Sequence, residues 1–188
     1  MWWVLIAIIA IVVVIGLAIA GIYNAFVRLR NQVRNAWAQI DVQLKRRYDL
    51  IPNLVETVKG YAKHERETLQ MVTAARNMAQ QLSSAGAGER AKVEGELSTA
   101  LGRLLAVAES YPDLKANQNF LALQEELAST ENKISFARQY YNDSVLRFNN
   151  KAQQFPSNIV ATMFGFRAQE FFETTVAIER EAPKVSFS

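Results

Sequence analysis

No charged side chain precedes Arg28, and every residue from Trp2 to Ile22 is apolar. At about 1.5 Å of rise per residue, that run forms a helix of roughly 31 Å, which matches the ~30 Å hydrocarbon core of a bilayer. A membrane-spanning helix is therefore the feature around which the rest of the chain has to be arranged. Ala18-Ile19-Ala20 has the small-residue pattern of a signal-peptide cleavage site. The apolar run is nevertheless longer than a usual signal core, no Lys or Arg stands before it, and helical patterning continues past Gly21, so retention is expected. Gly16 and Ala20 form a small-xxx-small pair that permits close approach of a second helix.

Charge fixes the expected orientation. Residues 1–47 carry six basic groups and one acid, net +5, and residues 48–188 carry 15 and 17, net −2. Arg28, Arg30, Arg34, Lys45, Arg46 and Arg47 follow the span, and only the α-amino group precedes it. The positive-inside rule then places the N-terminus outside and the body in the cytoplasm, with the basic collar available to lipid headgroups. The chain has no cysteine, which excludes disulfides, thiol catalysis and cysteine-ligated metals.

Beyond the span the periodicity is helical throughout. Phe26, Val33 and Ile40 are seven apart, as are Trp37, Leu44 and Ile51, which makes one apolar stripe running on from the membrane helix. Pro52 is the first interruption; Asp49 before it favours a new helix start over a kink. A second stripe, Leu54, Val55, Val58, Tyr61, Ala62, Leu69, Val72, Ala75 and Leu82, predicts one helix to about Leu82, followed by a loop at Ser83 to Gly88. Val93, Leu97, Ala100, Leu104, Val107 and Tyr111 predict a helix from about Glu89 to Ser110. From Pro112, the heptad series Phe120, Leu127, Ile134, Tyr141, Phe148 and Phe155 predicts a long helix of about 40 residues ending before Pro156.

Short loops make successive helices antiparallel. The expected fold is all-α: an anchor over residues 1–23, an elongated antiparallel four-helix bundle with a short C-terminal helical segment over 24–182, and a tail at 183–188. Such a topology returns the chain to the membrane at residues 156–167, which are aromatic and nearly uncharged. They form either a cap over the core, with Ser157 as N-cap, or an interfacial segment with Phe164 and Phe166 in the headgroups. Candidate lipid contacts are thus Arg28, Arg30, Arg34, Phe164, Phe166 and Arg167.

No catalytic constellation accompanies this architecture. His64 is the sole histidine, so no H-E-x-x-H zinc pair can form, and Gly86 and Gly88 lack the lysine and strand of a phosphate loop. Asp41, Asp49, Glu56, Glu65 and Glu67 read as ordinary ion-pair partners. The expectation is a protein without catalytic residues, cofactor or metal. Lys45-Arg46-Arg47 is too short a basic run for a nucleic-acid footprint, so none is expected as a partner.

The segment Trp37-Ala38-Gln39-Ile40-Asp41-Val42-Gln43-Leu44-Lys45-Arg46-Arg47, continuing through Asp49-Leu50-Ile51-Pro52-Asn53-Leu54-Val55-Glu56-Thr57-Val58-Lys59-Gly60-Tyr61-Ala62 to His64-Glu65, resembles the signature of the LemA family. So does a second block, Ala137-Arg138-Gln139-Tyr140-Tyr141-Asn142 through Phe148-Asn149 to Phe155-Pro156-Ser157-Asn158, and the likeness extends from Tyr23 to about Phe172. The resemblance implies a bacterial inner-membrane, single-span helical protein, with relatives in magnetosome-membrane formation and genes beside those of membrane metalloproteases. The expected function is a membrane-anchored scaffold that self-associates as a homo-oligomer and organises the inner-membrane cytoplasmic face or a partner complex. The alternative is an adaptor or regulator of a membrane metalloprotease, engaged through the tip at Ser83 to Gly88. Asp41, Lys45, Arg46, Arg47, Asp49 and Asn53 are the candidate polar patch, for structure or for a partner.

Overall fold

The computed structural model describes residues 1–173. Among them the regular structure is entirely helical: α1 (Trp2–Tyr61), α2 (Arg66–Gln81), a 3₁₀ turn (Leu82–Ser84), α3 (Ala87–Ala108), α4 (Pro112–Lys115), α5 (Gln118–Gln153) and α6 (Ser157–Met163). The tail expected at 183–188 lies outside the described residues.

The first 17 residues of α1 are exposed, and among the described residues none covers its most apolar window, whose mean hydropathy is 3.2. By length and composition this helix is a candidate membrane span.

The helix start expected at Pro52 is not there; α1 runs through that residue for another nine to Tyr61. Proline has no N–H to give the carbonyl four residues back, which in this helix is that of Tyr48. Arg76 on α2 donates its Nε–H to that carbonyl at 2.8 Å. With the orphaned acceptor satisfied from outside and the Pro52 ring exposed, the helix continues. The break falls instead at residues 62–65, just after Gly60, where helix propensity is weakest.

The other boundaries shift for local reasons. α3 begins at Ala87, so the expected loop is shorter than Ser83 to Gly88 and partly a 3₁₀ turn. The long final helix is divided after Lys115 and restarts at Gln118, giving 36 residues in α5. Asn117 supplies the restart: its Oδ1 accepts the backbone N–H of Phe120 at 3.0 Å, the geometry of a side-chain N-cap. Ser157 does not cap α6. Its hydroxyl lies 2.7 Å from the carbonyl of Lys151 and 2.9 Å from that of Gln154, and so serves the last turn of α5.

The chain forms two compact units, with α1 and α5 contributing to both. Residues 1–40 and 137–169 make the first, and residues 41–136 with 170–173 make the second. In the first unit α1 and α5 are antiparallel, since Phe26 meets Phe148 and Trp37 meets Tyr141 at ring centroid distances of 5.9 and 5.1 Å. Its core holds Phe26, Val33, Ile40, Tyr141, Val145 and Phe148. In the second unit the end of α1, α2, α3 and the start of α5 pack as an antiparallel four-helix bundle around Leu44, Ile51, Leu54, Leu97, Leu104, Phe120 and Leu127. Five of the six heptad residues of the final helix are buried, but Phe155 is 81% exposed. α5 ends at Gln153, and helical periodicity no longer aims the ring inward. Tyr61 is likewise exposed, its hydroxyl accepting from Asn117 Nδ2 at 2.9 Å.

Candidate functional site

In the second unit a charged side chain occupies core positions on two helices. On α1 the buried residues Ile40, Leu44, Ile51, Leu54 and Val58 follow steps of four and three, and Arg47 falls in that register between Leu44 and Ile51. It is 1% exposed. On α3, Arg90 and Glu94 precede Leu97, Leu101 and Leu104 in the same kind of register, and both are buried. A buried charge is tolerated only when paired and hydrogen-bonded.

Glu94 is the hub. Arg47 Nη2 bonds its Oε2, and the Tyr48 hydroxyl donates to its Oε1. Arg47 Nη1 also reaches Ser98 Oγ at 3.0 Å and Glu131 Oε2 on α5 at 2.8 Å. One guanidinium therefore links α1, α3 and α5. Arg90 pairs with Asp41, which adds a second α1 to α3 tie. Burial pushes the Tyr48 phenol above its ordinary range, and the hydrogen bond to Glu94 and the Glu94 charge push it further. The group stays protonated and donates to the carboxylate.

The six residues of the candidate patch are thus divided. Arg47 is consumed in the buried network, and half-exposed Asp41 edges it. Arg46 forms a surface pair with Glu126 at 2.7 Å. Lys45, Asp49 and Asn53 are exposed. Asp41, Lys45, Tyr48, Gln80, Ser83 and Arg90 border a cleft of about 410 Å³. A wider groove of about 830 Å³ runs between the end of α1 and α2, bordered by Val55, Lys59, Lys63, Arg66 and Leu69. Arg76, Arg90, Glu94, Ser98 and Glu131 were not among the expected residues. Their signal was available for Arg90 and Glu94, as charges standing where the helical register calls for apolar side chains.

Among the described residues no three His, Cys, Asp or Glu side chains are grouped to hold a metal ion, and His64 is exposed. The guanidinium and phenol donors named above are directed at acceptors within the network, and so tie α1, α3 and α5 together.

The candidate lipid contacts lie in the first unit. Arg28, Arg34 and Arg167 are exposed, and Arg30 is half-buried with its guanidinium 5.4 Å from the centre of the Phe166 ring. Phe166 stacks on Phe26 at 4.7 Å, and Phe164 meets Tyr23 edge-on at 4.9 Å. After α6 the chain is held by Asn149, whose amide donates to the Gln169 carbonyl at 2.9 Å and accepts the Gln169 N–H at 2.8 Å.

The sequence profile described as the LemA family matches residues 36–187. The chain is similar to Protein LemA of Metamycoplasma hominis, at 31% identity over 143 residues, 75% of this chain and 64% of that one. It is also similar to Magnetosome protein MamQ 2 of Paramagnetospirillum magneticum, 24% identical over 175 residues, and to Magnetosome protein MamQ of Magnetospirillum gryphiswaldense, 24% identical over 174 residues. Each of these two matches covers 80% of this chain and 64% of the relative. The chain thus spans just under two thirds of the length of these curated relatives.

Proposed function

This chain belongs to the LemA family, and on that premise we propose that it is a membrane-anchored scaffold, without catalytic activity of its own, that self-associates in the bacterial inner membrane and organises the cytoplasmic face or a partner complex there. The observation that carries this reading is α1. A single 60-residue helix contains an uncovered apolar stretch of bilayer length and continues without a break into packed residues. A helix that is apolar all round and unburied requires lipid or other helices as its surroundings. The basic collar after it supports a cytoplasmic body.

The buried network supports a structural use of charge. Arg47, Glu94 and Arg90 hold helices together, and the exposed remainder of the patch, Lys45, Asp49 and Asn53, faces partners. That relatives carry the name magnetosome protein supports an organising role over turnover of a small substrate.

The test is extraction of the full chain with its native lipid into polymer-bounded discs, followed by mass measurement and identification of copurifying proteins. The expected result is particles holding two or more copies, retained when residues 83–86 are replaced by a neutral linker. Monomeric particles with no partner overturn the scaffold. Loss of a copurifying metalloprotease on loop replacement, with the chain itself monomeric, replaces it with the adaptor reading.

A further inference from the structure

α6 has one buried face and one exposed face that carries two large apolar side chains. Ser157, Val160 and Ala161 are buried within the first unit. Ile159 and Met163, four residues apart on the other side, are 53% and 64% exposed. The flanking rings continue that open face, Phe155 at 81% and Phe164 at 48% exposed. Single exposed apolar residues are ordinary, but four within ten consecutive residues form a patch that water does not favour.

The position of this patch indicates what covers it. Phe164 touches Tyr23, the first residue after the apolar run that ends at Ile22. Because α5 runs antiparallel to α1, with Phe148 against Phe26, its C-terminal end and Phe155 lie toward the apolar stretch. The patch is therefore continuous with the lipid-facing surface of α1, at the level where the hydrocarbon region gives way to headgroups.

Charge adds an independent argument. Residues 1–40 and 137–169 carry seven basic groups and a single acid, Asp143, net +6, so the remainder of the chain carries net −3. Positive charge is thus concentrated in the unit that holds both the span and α6. A short apolar helix in the same unit as exposed Arg28 and Arg167 has the composition of an element that lies in the headgroup layer of an anionic leaflet.

We propose that Phe155 and α6 form a second membrane element, lying in the plane of the leaflet that α1 enters and inserting Phe155, Ile159 and Met163 between anionic phospholipids. Phe166, stacked between Phe26 and Arg30, orients this element from the protein side. The proposal rests on the membrane anchoring of α1 and is independent of self-association.

The absence of cysteine from the chain makes single-site labelling direct. The full chain carrying Met163→Cys, and separately Ile159→Cys, is labelled with an environment-sensitive fluorophore and reconstituted into phosphatidylcholine vesicles with and without phosphatidylglycerol. Quenching by lipids brominated at shallow acyl carbons is compared with that at Leu5→Cys in the span and at the exposed Leu121→Cys. The expected result is quenching at 159 and 163 at least about twofold above that at 121, and stronger with phosphatidylglycerol. Quenching at 5 with aqueous behaviour at both 159 and 163 overturns the proposal and leaves the anchor standing. A blue-shifted probe that lipid does not quench also overturns it, because a second protein copy then covers the face. Absence of quenching at 5 removes the anchor, and with it both readings.

Discussion

Arg76 and Tyr48 are joined by a bond that a helix would ordinarily make within itself: the Arg76 Nε–H fills the Tyr48 carbonyl that Pro52 leaves open, at 2.8 Å. The same Tyr48 donates its hydroxyl to buried Glu94. One residue of α1 is thus fixed to α2 through its main chain and to α3 through its side chain.

Arg76→Met should cost about 1–3 kcal/mol, the usual penalty for an acceptor left without a donor. In a Pro52→Ala background the new N–H at position 52 takes over the carbonyl, and the same change should cost much less. Denaturant unfolding of the parent chain, the two single variants and the double variant measures the coupling. Additive effects would show that Arg76 does not act through this carbonyl.

Removing one partner of the buried pair leaves a charge without compensation. Arg47→Met should lower stability by roughly 3–5 kcal/mol, and Arg47→Met combined with Glu94→Leu should cost less than the single change, because the buried Glu94 carboxylate is then not left without its cation. Unfolding midpoints of the two variants decide this, and a double variant weaker than the single contradicts it.

Tyr48 gives the second unit an alkaline limit. Its phenol is raised from an ordinary value of 10.0, so the fold favours the neutral form. Its contribution is complete below pH 10 and is lost as pH climbs from there through the raised value, because the unfolded chain releases the proton first. Stability measured from pH 8 upward should be level and then fall, and Tyr48→Phe should flatten part of the fall. Tyr111, raised by burial and by its hydrogen bond to Glu65, acts in the same direction.

Asn149 pairs with the backbone of Gln169 through both donor and acceptor. Asn149→Leu keeps the branched shape of the side chain and removes both bonds, at about 1–3 kcal/mol of local stability. Tryptic cleavage after Arg167 should then accelerate by about 5- to 150-fold if local opening limits it. An unchanged rate would mean that the segment is held by other contacts.

Phe26 is fully buried between Phe148 and Phe166. Phe26→Ala should destabilise the first unit by about 3–5 kcal/mol, whereas Phe155→Ala, at an exposed ring, should leave unfolding in detergent nearly unchanged. Equal losses would place Phe155 in the core.

The sequence by itself determined the apolar span, the all-helical class and most of the core, because each follows from hydropathy summed over many residues or from a repeat of three to four. Leu44, Ile51, Leu104, Phe120 and Phe148 could be placed inside on that basis alone. It also marked Asp41 and Arg47 as charges of interest. Tertiary structure alone decided what Pro52 does, since the donor that lets the helix pass comes from Arg76, 24 residues away on another helix. It likewise decided that Arg47 is buried and paired with Glu94 while neighbouring Lys45 and Asp49 stay in solvent, and that Phe155 leaves the heptad. Periodicity is a local property of one helix and is written in the order of residues. The partner that satisfies an orphaned carbonyl or a buried charge is set by which helices meet, and that is fixed only when the chain packs.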